Sequence, residues 1–401
     1  MESVRSKVIG IGGAGSNAIR ELLRQPNRFI SYAVIDTDIK SLQSVEVEEK
    51  LMVGHSVTRG LSSGGDPALA LKAAESDKEK IEALIQNVDL LFLVVGLAGG
   101  VGSSLSSLIA ELAFKQGTLV IAIAILPFTI EGGHKHQLAQ KNLGLLRLVS
   151  HATITLPNDL ILQNLPSEAT VAEAFQHANS WVSRAVHSVT NMLYKPGIIN
   201  LDFAALKKVF QMSGGQTLFG IGKWQGVDFI SNALNDLTFC PLLHIPNASQ
   251  RADSLLINIT GGRNLSLQDV NHIGSFLTSH FNSKDNTIIG AIIDESLENF
   301  VEIVTIGVTD INKGSLRSSQ RNRSKPESFQ HPQQQFLFDD LPPVSNNKKR
   351  KTTKKHIAGD PTDFDDSGCQ RGYFGQTERI LINGEDIDIP TYLRRGINIS
   401  I

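Results

Sequence analysis

The chain has 401 residues, enough for two cored domains with sequence to spare, and its 41% hydrophobic and 19% charged residues are ordinary for a globular protein. A formal net charge of -2 offers no global attraction to nucleic acid or anionic lipid. A nucleic-acid partner is therefore not expected, and any charged partner has to be met by a local cluster. Cys240 and Cys369 stand apart from each other and from any Cys/His cluster, which argues against a disulfide framework or a zinc centre and fits a reducing compartment.

The first strand-like run begins at Lys7, so no signal or transit peptide is expected. Strand-like runs follow at Lys7–Ile11, Ser31–Asp36, Leu90–Val95, Thr118–Leu126 and Thr153–Leu156, each separated from the next by helical stretches. Continuous apolar runs in that alternation predict a parallel sheet covered on both faces. The longest of them, Leu119 to Phe128, contains Pro127 and is too short to span a bilayer, so a cytoplasmic protein is expected. A long helix is predicted from Thr170 to about Tyr194, stopped by Pro196-Gly197. The pattern then changes to a helix near Phe203–Gln211 and strands at Ser254–Thr260, Thr287–Asp294 and Phe300–Gly307, a smaller mixed α/β domain.

After Asn312 the hydrophobic pattern collapses, and residues 313–378, rich in polar residues and proline, are expected to be a flexible linker. Its basic block, Lys348 to Lys355, is read as part of a solvated polyampholyte, with weak contact to nucleic acid or an acidic partner as the other reading. Order is expected to return in Arg379-Ile-Leu-Ile and Asp386 to Arg395, an apolar and basic peptide suited to docking into a partner's groove.

Two glycine-rich segments, Gly10-Ile-Gly-Gly-Ala-Gly15 and Gly96-Leu-Ala-Gly-Gly-Val-Gly102, each lie between a strand and a helix. Backbone N–H groups in such loops approach phosphates closely, and the positive end of the following helix favours the anion. The first segment alone fits the dinucleotide fingerprint, with Asp36 near the position of a ribose carboxylate, so an NAD-type domain is a rival reading. Two such loops suit a nucleoside triphosphate better, one on each side of the phosphate chain. Glycines at these junctions also serve tight turns and close packing, which is the plainer explanation for either loop alone.

Taken together, these segments resemble the FtsZ family of tubulin-like division GTPases over about residues 4–312 and the last fifteen. Ile9 to Asn17 looks like its first phosphate loop, Asp36-Thr-Asp38 its Asn-Thr-Asp segment, and Gly96–Ser104 its signature loop. Pro127-Phe-Thr-Ile-Glu-Gly132, Pro157-Asn-Asp159 and Phe175 to Asn179 match further family segments, and Asp388 to Arg395 looks like its tail peptide. The resemblance implies a tubulin/FtsZ-like α/β fold: a Rossmann-like GTPase domain over 1–168, a connecting helix over 169–199, an α/β domain over 200–312, the linker 313–378 and a partner-binding tail over 379–401.

It further implies that GTP or GDP, with an Mg2+ ion as a possible companion, is held by Gly12, Gly13, Ala14, Gly15, Ser16, Asn17, Gly99, Gly100, Val101, Gly102, Ser103, Glu131, Lys135, Phe175 and Asn179. Asn17 lies near the base, Glu131 holds the ribose, and no metal-ligating side chain is assigned. Asn200 and Asp202 would act on the neighbouring subunit's nucleotide in a head-to-tail filament, built with copies of the chain or with homologous subunits. The tail would bind membrane tethers or regulators at the division site.

The chain departs from the family at the interface loop, where Asn200-Leu-Asp202-Phe-Ala-Ala205 has a methyl group in place of the second carboxylate. Losing such a group costs about 10²–10⁴ in rate, so weak hydrolysis is expected. Val101 lacks a hydroxyl that could donate to phosphate, and Ala98 and Ser104 place Cβ atoms where close approach or a positive φ is anticipated. Lys135 stands where the family has arginine. The alternative is a non-filamentous adaptor with a degenerate nucleotide site. His134 and His136 are read as solvated loop residues, and Glu173 and His177 as an exposed pair.

Overall fold

The computed structural model describes residues 4–166, 168–195, 197, 199, 202–210, 216–245, 251–283, 286–309, 381–382 and 385–386. Asn200, the linker, the basic block and the Asp388–Arg395 peptide lie outside them. The chain divides into two units, Met1–Lys325 and Pro326–Ile401.

In chain order the first unit runs β1 (Ser6–Ile11), α1 (Gly12–Leu22), β2 (Ile30–Asp36), α2 (Ile39–Gln43), β3 (Glu49–Met52), α3 (His55–Thr58), α4 (Pro67–Ser76), α5 (Lys78–Leu84) and β4 (Leu90–Gly96). It continues with α6 (Gly100–Lys115), β5 (Leu119–Leu126), α7 (Gly133–Val149), β6 (Ala152–Pro157), α8 (Asn158–Ile161), α9 (Val171–Tyr194) and α10 (Phe203–Val209). Last come β7 (Gln216–Gln225), α11 (Phe229–Thr238), β8 (Ser254–Gly261), α12 (Leu267–His280), β9 (Thr287–Ile293) and β10 (Phe300–Thr309). In the second unit, β11 (Leu381–Ile382) pairs with β12 (Glu385–Asp386) as an antiparallel hairpin.

The first sheet has six parallel strands in the order β3-β2-β1-β4-β5-β6. Strands β4 and β5 read as unbroken apolar runs, and β1 does from Val8 onward, because helices cover both of their faces. Val8, Val34, Phe92, Val94 and Ile121 point into one buried cluster, and Ile9, Ile35, Leu91, Leu93 and Val120 into another. The chain reverses its direction of travel across the sheet between β1 and β4, so the loops after these two strands flank a crevice, the usual place for a ligand in such sheets.

The second sheet, β7-β10-β8-β9, mixes antiparallel and parallel pairs. Between the sheets runs α9, about 36 Å long at the helical rise. Thr170 and Glu173 close a reciprocal cap at its start, with the Thr170 N–H donating to Glu173 Oε2 at 2.7 Å. Ala178, Trp181, Val182, Ala185, Val186, Val189 and Met192 form its buried face.

The structure differs from the sequence reading in several places. His134 and His136 sit on α7, whose first residue is Gly133, because the helix begins directly after the positive-φ Gly132. Glu173 is exposed and serves the cap, whereas His177 is half-buried and accepts from Trp181 Nε1 at 3.4 Å. Strands β3 and β7 were not anticipated, and the helix expected over Phe203–Gln211 ends at Val209.

Candidate functional site

Both glycine-rich segments lie at the C-terminal edge of the first sheet, and each runs into the first turn of a helix. Helix α1 begins at Gly12 and α6 at Gly100, so the N–H groups of Gly12, Gly13 and Ala14 and of Gly100, Val101 and Gly102 lie in first turns and lack intrahelical acceptors. Gly12 has φ +69°, which only glycine adopts at low cost, and a Cβ on it would lie 3.6 Å from Gly102 N and from Val101. The two turns therefore pack against each other.

A cavity of about 730 Å³ opens above them. Gly12, Gly13, Ala14 and Asn17 line it from the first turn, Gly99, Gly100, Val101 and Gly102 from the second. Glu131, Lys135, Phe175 and Asn179 complete the wall on the far side. Of the residues singled out in the sequence, Gly15, Ser16 and Ser103 are not on the wall. Gly15 is packed beneath it, where a Cβ would meet Val94 O at 2.5 Å, and Ser103 donates its hydroxyl to Leu97 O at 2.7 Å. Ser16 is buried, and its Oγ has no hydrogen-bond partner.

Neither Ala98 nor Ser104 has a positive φ, so of the two constraints anticipated there that one does not apply. The Ser104 hydroxyl donates to Pro67 O at 2.6 Å, tying α6 to the start of α4. Val101 is buried against the second core cluster, so its side chain packs and offers the cavity no donor.

The charged wall is organised by local pairs. Glu131 accepts the Phe128 N–H at 3.0 Å through one oxygen and pairs with Lys135 Nζ at 3.0 Å through the other, a one-turn spacing readable in the sequence. Phe175 keeps 47% of its surface exposed and meets Phe128 edge-on at 5.6 Å, leaving a ring face free for a flat group.

On the opposite wall the Asp36 carboxylate ends β2 and accepts the Thr37 and Asp38 N–H groups at 2.7 and 3.3 Å. Burial pushes its pKa above the ordinary 3.8, against the opposing hydrogen bonds from Ser41, Asp38 and Thr37. Sequence reasoning assigned no role to Ser62, Ser63 and Gly65, which also line the cavity and belong to no recognisable motif.

Among the described residues no group of three or more His, Cys, Asp or Glu side chains converges as a metal cage. Asp36 and Asp38, both on the cavity wall, suit an Mg2+ ion that takes its remaining ligands from phosphate and water.

Asp202 is elsewhere. It caps α10, its carboxylate accepting the Ala205 N–H at 2.6 Å. Helix α10 packs on β8 and β9, and its Lys207 carries a charge close enough to act on Asp89 and His151. Hydrogen bonds from Arg5 hold the Asp89 carboxyl below its usual range with Lys207 adding to the effect, and burial, aided by Lys207, pushes the His151 pKa down from its ordinary value. Asp89 and His151 immediately precede β4 and β6, so α10 lies at the N-terminal edge of the sheet and the cavity at its C-terminal edge. At the strand rise, that separation is roughly 20 Å, beyond reach of a side chain within one copy.

A doubly wound parallel sheet with a glycine-cradled cavity at its switch point, a long central helix and a second small sheet define a tubulin-like GTPase. The Tubulin/FtsZ family, GTPase domain, matches residues 5–166, and the FtsZ family, C-terminal domain, matches residues 215–312. The chain belongs to the FtsZ family.

Two curated relatives, each a cell division protein FtsZ from a Buchnera aphidicola subspecies, are 28% identical over 97% of this chain and 96% of their own. Among solved structures, FtsZ from M. jannaschii is 30% identical with a TM-score of 0.71, covering 77% of this chain and 92% of that one. A GTPγS-bound protofilament of CetZ2 from Haloferax volcanii, at 18% identity, 79% and 98% coverage and a TM-score of 0.63, shares the fold. No helix among the described residues is long and apolar enough to cross a membrane.

Proposed function

We propose that the chain binds GTP or GDP in the cavity and assembles head to tail, with itself or with homologous subunits, into filaments that act at the cytoplasmic division site. The observation that carries this reading is the placement of Asp202 and the cavity at opposite edges of one sheet. A heterologous contact that repeats joins one edge to the other and builds an open filament. It also brings the Asp202 carboxylate of one copy, with Asn200 beside it in sequence, to the phosphates of the next, where it orients the attacking water.

The two helix starts cradle the phosphates, Glu131 takes the ribose hydroxyls with Lys135 as its cationic partner, Phe175 stacks on the base, and Asn17 and Asn179 read its edges. An Mg2+ ion at Asp36 and Asp38 would supply phosphate charge neutralisation. With Ala205 in place of a second carboxylate, hydrolysis is slow. The Asp388–Arg395 peptide binds a tether or regulator.

The test is GTP turnover by the full chain across a range of concentrations, with sedimentation measured in the same samples. Pelleting with GTP, and a slow turnover per chain that rises as filaments form, is expected. Turnover independent of concentration would place catalysis within one copy and overturn the reading, as would a chain that binds GTP without pelleting, which is the adaptor's behaviour.

Asp36 adds a pH dependence. Replacing it by asparagine, Asp36→Asn, removes a carboxylate from the phosphate wall, worth about 1 kcal/mol or roughly fivefold in nucleotide affinity at pH 8 in EDTA. A carboxyl whose folded pKa is raised binds more protons folded than unfolded, so its destabilising charge is present above that pKa and disappears as pH falls through it. The advantage of the Asn variant is therefore expected to shrink on acidification. Nucleotide titrations stepped downward from pH 8 check this; an advantage that stays unchanged all the way to the ordinary carboxylate value of 3.8 would exclude Asp36 titration as its source.

A further inference from the structure

Asn17 and Arg20 lie one turn apart on α1, and Arg20 Nη1 donates to Asn17 Oδ1 at 3.0 Å. The same guanidinium is anchored on its other side, where Nη2 donates to Ser44 Oγ at 2.9 Å and to Ser44 O at 3.2 Å. Ser44 caps the C-terminal end of α2, where the last carbonyls have no intrahelical donor, so the anchor is well matched.

Arginine has donors and no acceptor. The side of the Asn17 amide that faces Arg20 must therefore be its oxygen, and the amide orientation is fixed by chemistry, independently of how O and N are told apart. Asn17 lines the cavity, so what it can offer a ligand is its NH2 group, a donor. Guanine and adenine differ most sharply at position 6, where the first carries an accepting oxygen and the second a donating amine.

We propose that Arg20 is a specificity-positioning residue: by holding the Asn17 oxygen, it presents the amide NH2 to a 6-oxopurine and turns 6-aminopurines away. This rests on the nucleotide reading of the cavity. Asn17 and Arg20 are exposed in this structure, and once a base covers the amide a donor facing a donor leaves both unpaired, whereas a donor facing an oxygen pairs both, so such one-site differences produce large discrimination. Without Arg20 the amide is free to rotate and can accept from an amine as readily as it donates to an oxygen.

The experiment measures dissociation constants of GTP and ATP for the full-length wild type and the variants Arg20→Met, Arg20→Lys and Asn17→Asp, with thermal denaturation alongside. The ratio of the two constants is the readout, because a general loss of fold or phosphate binding weakens both nucleotides together. Arg20→Met is expected to lower the preference for GTP by about tenfold, and Arg20→Lys, which keeps one donor for Asn17, to restore most of it. In Asn17→Asp, Arg20 holds one carboxylate oxygen and the other faces the base as an acceptor, so GTP binding should fall by about tenfold or more while ATP binding falls less.

An unchanged ratio in Arg20→Met, or Asn17→Asp keeping the wild-type preference, overturns the inference. A wild type that binds neither nucleotide overturns the reading of the cavity itself, so the two failures are distinguishable.

Discussion

Replacing Ala205 by aspartate is expected to raise GTP turnover of the assembled protein by about 10²-fold, the lower end of what one positioned carboxylate contributes to a proton-transfer step. In the present chain the loop has one acid, and its carboxylate is already committed to the Ala205 N–H at 2.6 Å as the cap of α10. A water approaching that group competes with the cap. Position 205 is the third residue of the helix, from which a carboxylate can reach back to the cap residue's own N–H and complete a reciprocal pair.

The new acid would also sit at the positive end of the helix, worth a few tenths of a kcal/mol. Against this stands the loss of a half-buried methyl group packed on the main core. These terms nearly cancel, so the melting temperature of Ala205→Asp should stay within a few degrees of the wild type. Phosphate release per filament subunit is the measurement, with Asp202→Ala in the same background as control. No gain in Ala205→Asp would shift the block to the cavity, where Val101 takes a position that could have carried a donor.

The parts of the fold that could be read from the sequence are those where burial leaves a clean pattern. Strands β1, β2, β4 and β5 are nearly continuous apolar runs because helices cover both faces. Strand β3 carries no such pattern because it is a four-residue edge strand, Glu49-Lys-Leu-Met52, with only partial burial. Strand β7 was hidden by glycines. Gly222 is required where a Cβ would meet Ala233 O at 2.2 Å as α11 packs on the strand, and its exposed end carries Lys223, Trp224 and Gln225.

The candidate site was legible where its parts are local in sequence, as in the two helix starts, the Glu131–Lys135 pair and the aromatic Phe175. What pattern could not give is which glycines serve packing and which face the cavity, since that depends on chain segments far apart in sequence. The separation of Asp202 from the cavity leaves no trace in the pattern either; in the sequence it is implied only by the family resemblance, and in the structure it follows from the position of α10 against the second sheet.

The glycines offer a direct separation of fold from ligand. Gly102 is inside α6, where alanine is intrinsically favoured by about 1 kcal/mol, yet its Cβ would lie 2.2 Å from Gly96 O and 3.0 Å from a Val95 methyl. The obstacle is mostly backbone of the neighbouring strand end, which cannot swing aside, so Gly102→Ala should destabilise the protein by about 3 kcal/mol and lower its melting temperature by roughly 5 °C or more.

Gly13 is the contrasting case. It lines the cavity, avoids positive φ, and a Cβ on it meets no protein atom within 4 Å. Nothing in the fold requires glycine there, and alanine in a first helical turn should leave the melting temperature unchanged or raise it slightly. If a phosphate rests on the N–H groups of this turn, the added methyl holds it away and nucleotide affinity falls by about thirtyfold, or about 2 kcal/mol. Thermal denaturation and nucleotide titration of the two variants therefore should move in opposite patterns. Gly13→Ala binding as tightly as the wild type would mean that the anion sits over the α6 turn alone, and Gly99, whose Cβ is equally unobstructed, becomes the position to test.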